Sequence, residues 1–301
     1  MPLLMDTHAH LDAPEYAGGK LEEAIANAKN AGVERIISVG CNEETSLKNI
    51  ELSKAYKGYI YATYGFHPHN AEEFDAARHI AQICECVKDP GVVAIGEIGL
   101  DYYRELSPRA AQKKVFLTQL GIARELDYPA VIHIRDAFDD FREFTKGFDF
   151  KGVIHCYSGN AEFAKWAVDK GLYISFTASI TYPLKTLYKT AEKTKRPVGG
   201  ILRDKSLPDA VPQAMLDIFA AVPAERIMLE TDCPYMSPQN LRGRLNEPAN
   251  VCAVAEVISA VKDIEYGEFC RITGGNALGF FRKMAQGAAD QTAGGIGVLE
   301  N

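Results

Sequence analysis

Eight short apolar runs, each followed by a segment of helical period, recur along the chain, and no other feature restricts its fold as much. The runs occupy 3–7, 35–39, 59–64, 92–95, 130–134, 152–154, 172–176 and 226–229. They are filled with Val, Ile and Leu rather than alternating with polar residues, the pattern of strands buried on both faces. Amphipathic stretches lie between them at 20–31, 43–57, 71–88, 108–127, 136–146 and 160–170, followed by a mixed region over 184–222 and two closing helical patterns at 247–262 and 266–285. Eight βα units in 301 residues predict an α/β chain, a single-domain (β/α)8 TIM barrel over 1–285 with an insertion at about 185–215 between strands 7 and 8. Length alone suggests about two domains, and a doubly wound sheet is the alternative fold. The absence of a GxGxxG turn after the first run favours the barrel. The tail 286–301, rich in Ala and Gly with little charge and no periodicity, is expected to be flexible and dispensable.

Composition bounds the partners. With 33 Lys and Arg against 40 Asp and Glu, the net charge is −7, which argues against generic polyanion binding. No stretch approaches the roughly 18 to 20 apolar residues of a membrane span, and the opening Met1-Pro2-Leu3-Leu4-Met5-Asp6 turns polar too soon for a signal peptide. The seven cysteines form no CxxC pair and read as reduced thiols. The expectation is a cytoplasmic protein with no membrane contact and no obligate protein partner evident.

In a barrel of this kind chemistry belongs at the C-terminal ends of the strands. There the runs lead into Asp6-Thr7-His8-Ala9-His10, Gly65-Phe66-His67-Pro68-His69, Gly96-Glu97-Ile98-Gly99-Leu100-Asp101, His133-Ile134-Arg135-Asp136, His155-Cys156-Tyr157-Ser158 and Glu230-Thr231-Asp232. Six of the seven histidines fall in these windows, and only His79 sits in a helical pattern. A single histidine at a strand end is more often a satisfied core or loop residue. Jointly, with Glu97 and Asp232 on the same rim, they predict a metal site. Residues two apart on a strand point the same way, so His8 and His10 can offer nitrogens to one ion. Four imidazoles and two carboxylates exceed what one catalytic ion takes, which argues for two divalent ions, Zn²⁺, Mn²⁺ or Mg²⁺. A carboxylate with two oxygens can bridge them, and Glu97 is assigned that place.

These windows, extended by Leu11, Tyr102, Ala137, Gly159, Cys233-Pro234-Tyr235 and Asn246-Glu247-Pro248, resemble in order the successive signatures of the TatD family of metal-dependent hydrolases, within the amidohydrolase superfamily. The resemblance implies that His8, His10 and Asp232 hold the first metal, that Glu97 bridges, and that His133 and His155 hold the second. It places His67 near the attacking water and substrate, and it implies a divalent-metal-dependent deoxyribonuclease, often a 3′-5′ exonuclease.

The mechanism expected is attack by a metal-bridged hydroxide on a phosphodiester of DNA, most readily at single-stranded or frayed ends. Asp232 would accept the proton of the water, and His67 would steady a phosphate oxygen or protonate the leaving alkoxide. Arg135 reads either as a fork for phosphate or as an ion-pair partner of Asp136. Tyr102 and Tyr103 read either as stacking surfaces for a base or as packing. The same chemistry also serves hydrolysis of amide, ester or lactone bonds in a small molecule, and a binding barrel without catalysis is the third class.

Two features depart from the family pattern. The connection 183–225 is longer than expected, and within 185–205 it holds Lys185, Lys189, Lys193, Lys195, Arg196, Arg203 and Lys205 against Glu192 and Asp204. That is either a local positive field for a phosphate backbone or a solvated face. Leu245 stands where a basic residue is frequent, with Arg242 and Arg244 close by.

Overall fold

Each apolar run forms one strand, and the eight pair in sequence order, every pair parallel, in the computed structural model, which describes residues 3–204 and 210–285. The strands are β1 (Leu4–Ala9), β2 (Val33–Ser38), β3 (Ile60–Tyr64), β4 (Val92–Asp101), β5 (Ala130–Arg135), β6 (Gly152–Ile154), β7 (Tyr173–Phe176) and β8 (Ile227–Leu229). The barrel closes between its last and first strands. Thr7 Oγ1 donates to the Leu229 carbonyl at 3.0 Å, the Asp232 amide donates to the His8 carbonyl at 2.9 Å, and Ala9 bridges Cys233 in parallel.

The two-residue period of the strands sorts their apolar side chains into two cores. Leu4, Ile36, Ile60, Val92, Ile132, Ile154, Ile174 and Ile227 pack outward beneath the helices. Met5, Ile37, Tyr61, Val93, Val131, Val153 and Met228 fill the barrel interior. Phe280, Phe281 and Met284 join this inner cluster and plug the N-terminal end. Lys283 ties the plug to the turn before β4, donating to the Val87 and Asp89 carbonyls at 2.5 and 2.8 Å. Chemistry is thereby confined to the opposite, C-terminal mouth.

The helices around the barrel are α1 (Lys20–Asn30), α2 (Glu43–Ala55), α3 (Ala76–Cys86), α4 (Arg109–Glu125), α5 (Phe138–Phe144), α6 (Ala161–Asp169), α7 (Lys185–Thr194), α8 (Val198–Arg203), α9 (Gln213–Ala221), α10 (Val251–Val261) and α11 (Tyr266–Phe280). Helix α9 packs on α6 and leads into β8, the place of the barrel's own crossover helix. The helices α7 and α8 are the added pair, with α8 packed on α10. The expected 71–88 helix begins only at Ala76, because the Pro68–Glu73 stretch winds as a 3-10 helix. The expected tail 286–301 and Lys205 lie outside the described residues. Among the described residues no helix is long and apolar enough to cross a membrane.

One strand differs from expectation in a way that shapes the mouth. β4 continues to Asp101 rather than ending at 95. Gly99 makes this possible: its φ is +149°, and a Cβ there would lie 1.9 Å from the His133 carbonyl oxygen. Only glycine lets β4 and β5 approach this closely, and the approach brings Glu97 and His133 together.

Candidate metal centre at the barrel mouth

The interior face of the strands supplies the donors. Val131, Val153 and Met228 lie in the inner core, so two residues further along, His133, His155 and Glu230 point into the mouth. On β4 a register shift lies between Ile95 and Ile98; Ile95, Ile98 and Leu100 belong to the outer core, and Glu97 and Asp101 face the mouth histidines. β1 breaks the rule: its inner-core residue is Met5, and a register shift between Asp6 and Ala9 turns His8 inward instead of Thr7. Asp6 anchors that shift, accepting from Thr231 Oγ1 at 2.6 Å and from the Thr231 amide at 3.0 Å. Burial pushes the Asp6 carboxyl up to about 8 against these hydrogen bonds.

Two donor sets converge, and Glu97 belongs to both. Around its Oε2, His8 Nε2 lies at 3.4 Å and His10 Nε2 at 3.9 Å. The two imidazole nitrogens are 3.3 Å apart, and Asp232 Oδ1 lies 3.3 Å from His10 Nε2 and 3.8 Å from His8 Nε2. Ligands of one tetrahedral ion stand about 3.4 Å apart, so this set fits a divalent cation. Around Glu97 Oε1, His155 Nε2 lies at 2.8 Å and His133 Nδ1 at 2.9 Å, with 3.0 Å between the two nitrogens. This set is tighter, and its donor chemistry, imidazole plus carboxylate, suits the same class of ion.

The far nitrogen of two histidines, His10 and His133, is held by a hydrogen-bond partner, which fixes the nitrogen that faces the centre, and that of His155 lies beside a carboxylate without a hydrogen bond. His10 Nδ1 donates to the Val39 carbonyl at 3.1 Å. His133 Nε2 lies 3.3 Å from Asp101 Oδ2, and His155 Nδ1 lies 3.5 Å from Glu230 Oε1. His8 stacks on His155 with ring centroids 4.0 Å apart, and its buried Nδ1 has no hydrogen-bond partner.

His67 is held differently. Its Nδ1 accepts the His69 amide at 3.0 Å, so the neutral ring carries its proton on Nε2, 3.5 Å from Glu97 Oε1. Burial, together with the neighbouring His133, His69 and His155, keeps the ring neutral, well below the usual histidine range, against the pull of Glu97. His67 therefore presents an N–H to the mouth.

Electrostatics bind the group together. Burial alone would raise the Glu97 carboxyl, yet His155, His67 and His8 and the hydrogen bond from His133 carry it well below the usual range. Burial also works against Asp232, and the hydrogen bond and charge of His10 overcome it. Asp101, opposed by burial and steadied by His133 and His69, is likewise held low; its Oδ1 accepts the Tyr103 and Arg104 amides at 2.9 and 2.8 Å. The mouth is thus lined with ionised carboxylates, as a cation site requires.

The seven residues expected to act on metal or water, His8, His10, His67, Glu97, His133, His155 and Asp232, are brought together. The two further substrate candidates make their contacts outside this donor set. Tyr102 donates its hydroxyl to Asp140 at 2.7 Å and lies under the Arg109 guanidinium, 4.1 Å from its ring centre, which is the packing alternative. Arg135 lies 3.9 Å from the ring centre of the exposed Tyr103 and forms no ion pair with Asp136 among the described contacts. Sequence reasoning missed the supporting carboxylates Asp101 and Glu230, although their two-residue parity with Glu97 and Asp232 carries the signal. It also missed Cys41, whose thiol sits 3.8 Å from His10 Nδ1 and 3.9 Å from Glu97 Oε2.

Comparison with known proteins agrees with this architecture. A family described as TatD related DNase matches residues 5–282. An uncharacterized metal-dependent hydrolase of Bacillus subtilis, YabD, is 36% identical over 93% of this chain and 99% of its own length. A 3′-5′ ssDNA/RNA exonuclease TatD of Pantoea ananatis is 30% identical over 86% of this chain and 90% of its own. The crystal structure of YjjV, a TatD homologue from Escherichia coli, superposes with a TM-score of 0.77 at 26% identity, covering 93% of this chain and 98% of the other. By this match and by the ordered donor set at the mouth of its barrel, the chain belongs to the TatD-related DNase family.

Proposed function

We propose that the chain is a divalent-metal-dependent phosphodiesterase that removes nucleotides from the 3′ end of single-stranded or frayed DNA. The observation that carries the reading is the sharing of Glu97: one oxygen faces His8 and His10, the other His133 and His155. His8, His10, Asp232 and Glu97 Oε2 would hold one ion, and His133, His155 and Glu97 Oε1 a second. Bound there, two cations would acidify water and neutralise charge developing on a phosphate. The relatives named as 3′-5′ ssDNA/RNA exonucleases support the choice of substrate.

The chain's own groups account for the rest of the chemistry. Asp232 is the more accessible of the two central carboxylates, with its side chain 16% exposed against 3% for Glu97. It is the one an attacking water can reach, and it accepts the proton. His67 offers its Nε2–H to a non-bridging phosphate oxygen, where it stabilises the transition state. Being neutral, it serves as a hydrogen-bond donor rather than as an acid, and added cations would only strengthen that preference. Asp101 keeps His133 oriented as charge develops. The seven cysteines are all free thiols, which supports placement in the reducing cytoplasm.

The test is to strip the protein with EDTA, restore Mg²⁺, Mn²⁺ or Zn²⁺ singly, and offer single-stranded DNA, duplex DNA, RNA and a panel of acyl esters. Metal-dependent shortening of single strands from the 3′ end is expected. Hydrolysis of esters with no attack on any nucleic acid would overturn the reading in favour of the small-molecule hydrolase.

A further inference from the structure

The seven cations counted in 185–205 do not act as one patch. Arg203 donates to the Ile264 carbonyl at 2.6 Å and lies 3.9 Å from Asp263, so it serves to fasten α8 to the α10–α11 turn. Arg196 pairs with Asp204. Lys185, Lys189 and Lys195 have no partner among the described residues. Elsewhere some exposed lysines are paired, Lys48 with Glu44, Lys54 with Glu51, Lys88 with Glu85 and Lys165 with Asp169, while Lys20, Lys114, Lys146 and Lys170, scattered over the surface, have no partner among the described residues.

These three lysines and Arg196 line a cleft of 940 Å³ between α7 and the start of α8 on one side and the Gln239–Leu241 turn and α10 on the other. Lys185 and Lys189 are one turn apart on α7, whose opposite face, Leu187 and Ala191, is buried. Two carboxylates share the lining, and one of them, Glu256, is engaged by the Gly199 amide at 2.8 Å; the other is Glu192. The wall also holds two buried polar atoms without hydrogen-bond partners, Tyr188 Oη and Gln239 Oε1. A cleft at the upper end of ligand-site volumes, with positive charge at its edge and unsatisfied polar atoms in its wall, is built for an anionic, hydrogen-bonding occupant.

The chain links the cleft to the rim of the metal centre. From the end of β7 the Ala178–Leu184 3-10 turn runs into α7, and Thr181 Oγ1 accepts the Gln239 amide at 2.9 Å, joining the two rims. On that turn Tyr182 lies beneath the Arg242 guanidinium, 4.2 Å from its ring centre, with its hydroxyl 4.0 Å from Met236 Sδ, four residues beyond Asp232. An Arg–Tyr pair thus stands between the catalytic mouth and the lysines.

We infer that this cleft binds the phosphate backbone of a single-stranded polynucleotide whose terminal linkage lies at the metal centre. This rests on the phosphodiesterase reading above and adds to it a second site remote from the chemistry. Charges a helical turn apart, about 5–6 Å between Cβ atoms, serve successive phosphates of an extended strand. A compact anion needs charges that converge on one point. Binding there is sequence-independent and salt-sensitive.

The test uses the full chain in EDTA, so that nothing is cleaved, with fluorescently labelled oligothymidylates of increasing length read by anisotropy. Affinity should rise with length and then level off. In the variant Lys185→Ser/Lys189→Ser/Lys195→Ser the length dependence should flatten, and the slope of log affinity against log salt should fall by about 2. The matching Lys→Arg triple variant should restore both, which separates charge from folding. With metal restored, the Ser variant should raise KM for a long strand about tenfold while leaving hydrolysis of bis(p-nitrophenyl) phosphate unchanged. Unaltered length dependence and salt slope in the Ser variant would overturn the inference. So would displacement of the long strand by low concentrations of inorganic phosphate or mononucleotide, which would mark a compact-anion site. If no phosphodiester is hydrolysed under any metal, the catalytic reading fails, and the anisotropy series still decides the cleft on its own.

Discussion

The metal centre and the insertion cleft lie on the same face of the barrel and are built on opposite principles. Donors of the centre sit at strand ends, are largely buried, and include two whose orientation a hydrogen-bond partner fixes: Val39 for His10 and Asp101 for His133. The lysines of the cleft sit on a short added helix, are exposed, and have no partner among the described residues. Directional chemistry requires atoms placed within a fraction of an ångström, which only packed strands and buried hydrogen bonds supply. A field for a polyanion requires only charge on the correct side of the mouth.

That contrast sets the scale of what substitutions should do. The largest effect belongs to Glu97, because it serves both donor sets. Glu97→Gln should lower phosphodiesterase kcat by about 10³-fold or more, read in a metal-reconstituted assay, and titration should find fewer tightly bound ions. A variant with near-normal turnover would remove Glu97 from the centre altogether.

Asp101→Asn leaves every proposed ligand in place and disturbs only the orientation of His133 and His69. Metal affinity or activity should fall about 10–100-fold, measured by competition with a chromogenic chelator. If the affinity is unaffected, the carboxylate behind His133 is only packing.

Metal removal tests the centre as a whole. An ion bound to the folded state alone, at 100 times its Kd, stabilises it by about 2.7 kcal/mol, so chelation should lower Tm by several degrees. The effect should shrink as pH falls. Imidazoles must lose their protons to bind, and in the metal-free site Cys41 and Asp232 raise His10, and Glu97 and Glu230 raise His155, against burial. Protons therefore compete harder at low pH, and a metal-induced Tm shift that grew on acidification would contradict the ligand set.

The smallest effect is expected at Tyr102. Tyr102→Phe loses one partly buried hydrogen bond, to Asp140. Stability should drop by about 1 kcal/mol, followed by denaturant titration, and activity on single strands should stay within about twofold. A larger loss of activity would return this tyrosine to the substrate path.

Much of this was legible before any coordinates. The apolar runs mark all eight strands, and five of the seven central residues follow them as histidines at strand ends. Asp101 escaped because β4 was expected to end at 95, and the strand runs on to 101. Glu230 escaped because Asp232, two residues later, offered a simpler ligand. The basic segment was legible only as a sum. Its sorting into fastened arginines and unpartnered lysines depends on Ile264 and Asp263, some sixty residues away.

Local periodicity determined the barrel, the face on which its donors gather and the number of carboxylates available to them, because alternation along a strand is a property of neighbouring residues. Which nitrogen of each histidine faces the centre, how Glu97 divides its two oxygens, and which lysines remain free were decided only in three dimensions. Each of these turns on a hydrogen bond or charge contact between segments that are adjacent in the barrel and far apart in the chain, and no local pattern can carry that information.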